Sequence, residues 1–76
     1  MLLRGGKYDL VILRTIDRQY RAMILEDRSP LIYQDEVNLS GAIRTGINML
    51  AVLTRLPREE LCERIGLPPS LCHSVL

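Results

Sequence analysis

Two apolar segments separated by a turn-forming tetrapeptide lie in the first half of the chain. They read Tyr20-Arg21-Ala22-Met23-Ile24-Leu25-Glu26, then Asp27-Arg28-Ser29-Pro30, then Leu31-Ile32-Tyr33. Aliphatic, β-branched and aromatic residues favour strands, and the proline fixes its own φ and removes a backbone donor from the connection. The earlier run Asp9-Leu10-Val11-Ile12-Leu13-Arg14 has the same character, with a connection at Asp17-Arg18-Gln19. This half therefore predicts a meander of two or three strands.

A helix is the rival interpretation of residues 8–25. Five apolar side chains fall at helical spacing, namely Leu10, Leu13, Ile16, Tyr20 and Met23. Period alone does not distinguish a strand from a helix in short apolar runs, and we favour strands. In a sheet, the arginines at positions 14, 18 and 21 are expected to guard its edges against pairing with other chains.

The second half has the spacing of a long helix followed by two short ones. Asn38 or Ser40 is the expected N-cap. Apolar residues recur on one helical face over about four turns, at Ile43, Ile47, Leu50 and Leu53. Gly46 inside this helix costs about 1 kcal/mol relative to alanine, so we expect another element to pack closely against it.

Two further helices are predicted beyond Pro57, which stops the long helix and suits the start of the next. That next helix runs from about Arg58 to Ile65, and Gly66 ends it. An apolar pattern restarts at Leu71 and predicts a third helix. The chain is thus expected to be one α+β domain over residues 1–76, with a small antiparallel β-sheet in residues 1–37 and three helices in residues 38–76.

Length and composition exclude several classes of protein. A chain of 76 residues holds one core but no deep, shielded cleft. The net charge of +1 gives no overall basic field that would attract nucleic acid or acidic lipid. No apolar run approaches the ~20 residues that span a bilayer, and the first residues lack the apolar stretch of a signal peptide. We expect a cytoplasmic protein with no membrane contact.

The residues that carry chemistry are few. Cys62 and Cys72 lie ten positions apart, and a reducing compartment favours free thiols that are buried as small apolar residues. A metal site needs more ligands than these two, and the single histidine, His73, is adjacent to one of them. No glycine-rich phosphate loop, catalytic carboxylate pair or nucleophile with its base is evident. We expect no enzymatic activity, metal site or cofactor.

The segment Arg58-Glu59-Glu60-Leu61-Cys62-Glu63-Arg64-Ile65-Gly66-Leu67-Pro68-Pro69-Ser70-Leu71-Cys72-His73-Ser74-Val75-Leu76 resembles a bacterial helix-turn-helix of the isocitrate lyase regulator type. The matching positions are Leu61, Cys62, Gly66, Leu67, Pro68, Ser70 and His73, and residues 42–56 are similar to that family's first helix. The resemblance implies a helix-turn-helix arrangement and transcription regulation. It assigns base contacts in duplex DNA to Ser70, Leu71, His73 and Ser74. Phosphate contacts would fall to Arg44, Arg55, Arg58 and Arg64.

A second similarity concerns the predicted order strand, strand, strand, helix from Tyr8 to Leu53. This order resembles the small antitoxins of the HicB type, which join a partial double-stranded-RNA-binding-like fold to a DNA-binding tail. It implies that the chain is an antitoxin and accounts for both halves at once.

Two functions follow as predictions. The first is a small bacterial or phage-type regulatory protein that binds duplex DNA through its C-terminal helices. The second is a compact protein-binding factor, an antitoxin or an inhibitor of a larger protein, that docks through an edge strand or an apolar helix face without nucleic acid. We also expect a homodimer, because one half-site gives little affinity for DNA and a single short sheet buries apolar surface poorly.

Overall fold

The computed structural model describes the backbone of residues 1–75 and the side chains of residues 1–73. Four strands come first: β1 (Leu2–Gly5), β2 (Tyr8–Arg14), β3 (Tyr20–Glu26) and β4 (Ser29–Glu36). Three helices follow: α1 (Leu39–Thr54), α2 (Arg58–Arg64) and α3 (Pro69–Val75). The strands form one antiparallel sheet in the order β1-β2-β3-β4. The described residues therefore have an α+β fold.

The expected count of two or three strands is wrong, because the sheet has four. β1 pairs with β2 from Leu2 opposite Val11 to Gly5 opposite Tyr8. Four residues carry too little pattern to predict a strand, and β1 forms because β2 offers an edge that supplies its backbone hydrogen bonds. The rival helix over residues 8–25 is also wrong, since β2 and β3 pair along their whole length.

β4 is longer than the sequence predicts because its turn is tighter. Asp27 and Arg28 have φ values of 48° and 70°, which places both in the left-handed region used by two-residue hairpin turns. Ser29 and Pro30 therefore belong to the strand and not to the connection. Proline is tolerated because β4 is an edge strand and its pairing with β3 is irregular opposite Ile24 and Leu25.

The helix-turn-helix arrangement is wrong as well. α1 packs on β2, β3 and β4, so it covers the sheet and does not open a separate three-helix unit. α2 contacts α1 and β1, and α3 contacts α1 and α2. Both are short helices of seven residues. The apolar face of α1 buries more surface against a sheet than against two such helices, and this decides the arrangement.

The core lies between α1 and one face of the sheet. The sheet contributes Leu10, Ile12, Ala22 and Ile24, and α1 contributes Ala42, Ile43, Ile47 and Leu50. The expectation of close packing at Gly46 is confirmed, because a Cβ built there would lie 2.8 Å from Leu10 Cδ2. Glycine thus lets the helix backbone approach the fully buried leucine of β2.

Local signals set the ends of the helices. The backbone N–H of Gly41 donates to Asn38 Oδ1 at 2.7 Å, so Asn38 is the N-cap of α1. Gly66 follows α2 with a φ of 77°, which agrees with its expected place at a helix end. Within the described part of the chain, no helix is both long enough and apolar enough to cross a membrane.

Candidate functional site

The face of the sheet that points away from α1 carries a continuous apolar row. Residues directly opposite each other in an antiparallel sheet share a face. Leu2 lies opposite Val11, Val11 opposite Met23, and Met23 opposite Tyr33, so the row crosses all four strands. Leu2 and Tyr33 are 48% and 57% exposed, and Val11 and Met23 are half-buried. We call these four residues the outward row.

Charged residues flank the outward row on both sides. On one side Leu13 lies opposite Arg21, which lies opposite Asp35. On the other side Arg4 lies opposite Asp9. Each flank carries one positive and one negative side chain. An apolar centre with a polar, charge-balanced rim is the usual anatomy of a protein-protein contact surface.

One ion pair fixes the side chains at the rim. Arg21 Nε donates to Asp35 Oδ1 at 2.8 Å, and Arg21 Nη2 donates to Asp35 Oδ2 at 3.2 Å. The guanidinium also lies 4.2 Å from the centroid of the Tyr33 ring. The hydrogen bond from Arg21 lowers the pKa of Asp35, and the guanidinium charge adds to this while partial burial opposes it. Asp35 is therefore ionised and held in one place beside the outward row.

The outward row is a departure from what an antiparallel sheet normally presents to water. Such sheets alternate apolar residues toward the core with polar residues toward solvent. Here the outward positions of β2 and β3 include Val11, Leu13, Met23 and Leu25. This surface was not predicted from the sequence. The available signal was Leu10-Val11-Ile12-Leu13, an apolar run without alternation, which indicates that both faces of the strand are apolar.

The residues predicted to bind DNA lie on α2 and α3, outside the sheet. Arg58 and Arg64 are the first and last residues of α2, and both are exposed. Ser70 and His73 are exposed on α3, whereas Leu71 is half-buried and packs against the core. The side chain of Ser74 lies outside the described residues.

The charges around α2 and α3 are mixed. Arg64 Nη2 donates to Glu60 Oε1 at 3.1 Å, so its charge is already paired. His73 lines a cleft between the two helices together with Glu59 and Glu63. Carboxylates in this cleft repel phosphate, so the surroundings of His73 are not the uniformly basic surface that attracts duplex DNA. The DNA-binding assignment stays a prediction.

The two cysteines are joined, which corrects the expectation of free thiols. Cys62 of α2 and Cys72 of α3 form a disulfide with their Cα atoms 6.1 Å apart. Both are buried, as expected for small apolar residues. The bond holds α3 against α2, and the pair is structural in position, since neither sulfur faces a cluster of metal-binding side chains among the described residues.

No protein-family model, curated protein or solved structure matches this chain. The two resemblances, to the isocitrate lyase regulator type and to the HicB type, therefore stay predictions.

Proposed function

We propose that this chain is a compact protein-binding module that docks on an apolar surface of a larger protein through the outward row. The single observation that supports this most strongly is the row itself, four apolar residues aligned across four strands and left uncovered by α1. Contiguous apolar surface with a polar rim is rare on a protein that works alone. This is the second of the two functions expected from the sequence, with a different surface in place of an edge strand or helix face.

The rim favours a protein partner over a lipid or a nucleic acid. Acidic lipids and nucleic acids both select surfaces with an excess of positive charge. Each flank of the outward row instead has an aspartate opposite an arginine in the sheet: Asp35 is ion-paired with Arg21, and the buried Asp9 lies opposite Arg4. A charge-balanced rim suits the mixed side chains of a protein surface and gives the contact its orientation.

Site-directed photo-crosslinking in cells that express the chain tests this proposal. Leu13 is 43% exposed and borders the outward row. Leu13→p-benzoylphenylalanine is expected to trap a partner as a discrete heavier band, identified by mass spectrometry. Met23→Glu places a charge in the middle of the row and is expected to abolish that band, while circular dichroism shows that the variant stays folded.

The matched control is Val52→p-benzoylphenylalanine. Val52 is an apolar residue, 79% exposed, on α1, which packs on the opposite face of the sheet. It is expected not to give the partner band found at position 13. The same partner band from positions 13 and 52, or a band that survives Met23→Glu in a folded variant, would rule out the outward row as the binding surface.

A direct titration with DNA distinguishes the DNA-binding hypothesis from the proposed protein-binding function. A pool of fluorescent duplexes at low salt is mixed with the protein, and the acidic lining of the α2–α3 cleft leads us to expect no saturable binding. Binding that weakens steeply with salt and falls equally for all duplexes in Arg58→Ala would instead support the first predicted function.

A further inference from the structure

β4 has a free edge that is long and apolar. It is the last strand of the sheet, and no described strand pairs with its outer side. Leu31, Ile32 and Tyr33 are 48%, 47% and 57% exposed. Proteins usually protect such an edge with lysines, shortness or a cover, because its unpaired N–H and C=O groups accept another strand. β1, the other edge, has only four residues and includes Arg4.

The arginines expected to guard the sheet do not protect β4. Arg14 ends β2, Arg18 lies in the turn after it, and Arg21 lies in β3, an interior strand. Their expected role is therefore wrong for this edge. The charges of β4 itself are confined to its end, at Asp35 and Glu36.

An apolar groove runs beside this edge on the α1 side of the sheet. It has a volume of about 390 Å³ and is lined by Ile32, Gln34, Thr45, Asn48, Met49, Val52 and Leu53. Val52 is 79% exposed and Leu53 37% exposed. Asn48 Oδ1 is shut off from solvent and accepts no hydrogen bond from the described residues. The walls of the groove are thus mainly apolar, with Gln34, Thr45 and Asn48 as the polar residues of its lining.

We propose that the occupant of this edge and groove is a second copy of the chain. The two β4 strands pair antiparallel about a two-fold axis at Ile32, which joins two sheets of four strands into one sheet. Both α1 helices then lie on the same side of the joined sheet, and each closes the groove of the other. The contact uses the same patch twice, as a two-fold dimer requires.

Charge along β4 selects the antiparallel direction. The strand is neutral from Ser29 to Gln34 and acidic at Asp35 and Glu36, and Arg28 immediately precedes it. Antiparallel pairing brings Arg28 of one copy beside the acidic end of the other. With Ile32 opposite itself, a regular register places Arg28 opposite Glu36, and a one-residue shift from the irregularity in β4 places it opposite Asp35. Parallel pairing would instead align the two acidic ends.

Exposed apolar residues of α1 favour a dimer in which both α1 helices lie on the same side of the joined sheet. The exposed Val52 and Leu53 lie beside Ile32 along the groove. Around the two-fold axis, α1 of one copy faces α1 of the other across the paired β4 strands. The dimer therefore removes from water the exposed apolar side chains of Ile32, Val52 and Leu53, which line the groove.

Sedimentation velocity over micromolar to millimolar concentrations tests the dimer. The parent chain is expected to change from monomer to dimer across this range. Ile32→Arg and Val52→Arg are each expected to weaken association by about tenfold or more, which corresponds to about 1.4 kcal/mol. Arg28→Glu is expected to weaken it less, and Arg18→Glu is its matched control, an arginine of similar positive φ in the turn between β2 and β3.

Cysteine cross-linking tests the register. Ile32→Cys lies opposite itself, and directly opposite Cα atoms are about 4.5 to 5.5 Å apart, within the range of a disulfide. It is expected to give a covalent dimer on a non-reducing gel. Tyr33→Cys is offset from its copy along the strand and is expected to give none.

The outcomes separate this inference from the proposed function, which uses the outward row. A parent chain that stays monomeric at every concentration overturns the dimer. A dimer unaffected by Ile32→Arg and Val52→Arg, yet lost in Leu13→Lys, places self-association on the outward face and overturns the β4 contact. Covalent dimers from Tyr33→Cys but not Ile32→Cys overturn the register. Circular dichroism confirms that each variant remains folded.

Discussion

Each face of the sheet carries a row of four apolar side chains, but α1 covers only one of the two rows. On the α1 side, Leu3, Leu10, Ile24 and Ile32 lie opposite one another across the four strands, and we call them the helix-side row. On the other side lies the outward row. Both rows consist of four large apolar side chains. Leu10 and Ile24 are completely buried because α1 covers them, whereas nothing among the described residues covers the outward row to the same extent.

The comparison shows that apolar composition does not decide which face becomes the core. The helix that follows the sheet can cover only one face, and it covers the one where Gly46 allows its backbone to approach Leu10. The second apolar face is left without a layer. Since domains are built from layers that bury each other's apolar faces, the uncovered second face is the feature on which the proposed protein-binding function rests.

The largest expected effect contrasts two leucines of β2. Leu10→Ala is expected to lower the free energy of unfolding by about 2–5 kcal/mol, because it removes a buried side chain and leaves a cavity. Leu13→Ala, on the outward face, is expected to cost less than about 1 kcal/mol. Urea denaturation measures both. Equal losses would mean that the outward face is as well packed as the core, and the comparison between the faces would fail.

Removal of the Cys62–Cys72 bond is expected to have the next largest effect. The bond closes a loop of sequence separation 10, for which the chain-entropy relation gives about 3 kcal/mol. Adding dithiothreitol to the parent chain, or replacing both cysteines with alanine, is expected to lower the free energy of unfolding by about 3 kcal/mol. The alanine variant serves as the control, since the reductant has nothing left to cleave in it. Unchanged stability of the parent under reduction would mean that α3 is held by packing alone.

The sequence predicted the parts of the fold that rest on local signals. The α1 helix, its cap at Asn38 and the turn at Gly66 were each indicated by residues within a few positions of one another. β1 was not predicted, because it forms by pairing with β2 and its four residues have no strand pattern of their own. The covering of the sheet by α1 was missed for the same reason, as it depends on residues far apart in the chain. The disulfide joins residues only ten positions apart and was missed because a reducing compartment was assumed.

The outward row could not be predicted from the sequence for a related reason. The outward row exists only when the register of three strand pairs is known, since a slip of one residue would turn each side chain to the other face. Val11 and Met23 are nine or more positions from their neighbours in the row. The apolar run around Val11 indicated a two-sided strand, but it did not indicate which residues of other strands would align with it.

A smaller effect tests the fit of α1 on the helix-side row. Gly46→Ala gains about 1 kcal/mol in helix propensity and loses about 1–3 kcal/mol through overlap with Leu10. We expect a net loss of about 1 kcal/mol by chemical denaturation. In the Leu10→Ala background the overlap is gone, and the same substitution is expected to stabilise. A stabilising Gly46→Ala in the parent chain would show that Leu10 moves aside and that the close approach is not required.

The smallest effect concerns the rim of the outward row. The folded-state pKa of Asp35 is lowered, chiefly by the hydrogen bond from Arg21. A lowered pKa adds stability that is fully present above the unfolded-state value, and that is lost as the pH falls through the folded-state value. Asp35→Asn is therefore expected to be less stable than the parent chain near neutral pH, with the difference disappearing in acid.

Arg21→Gln isolates the cause of that difference. It removes the guanidinium that donates to Asp35 at 2.8 Å and leaves the carboxyl in place. NMR titration of the Asp35 side-chain carbon is expected to show a pKa that rises toward the ordinary value in this variant. Arg14→Gln is the control, because Arg14 lies over Tyr20 and its ring contact does not involve Asp35. If the pKa of Asp35 is the same in all three proteins, the ion pair does not order the rim, and the outward row would have to orient its partner by shape alone.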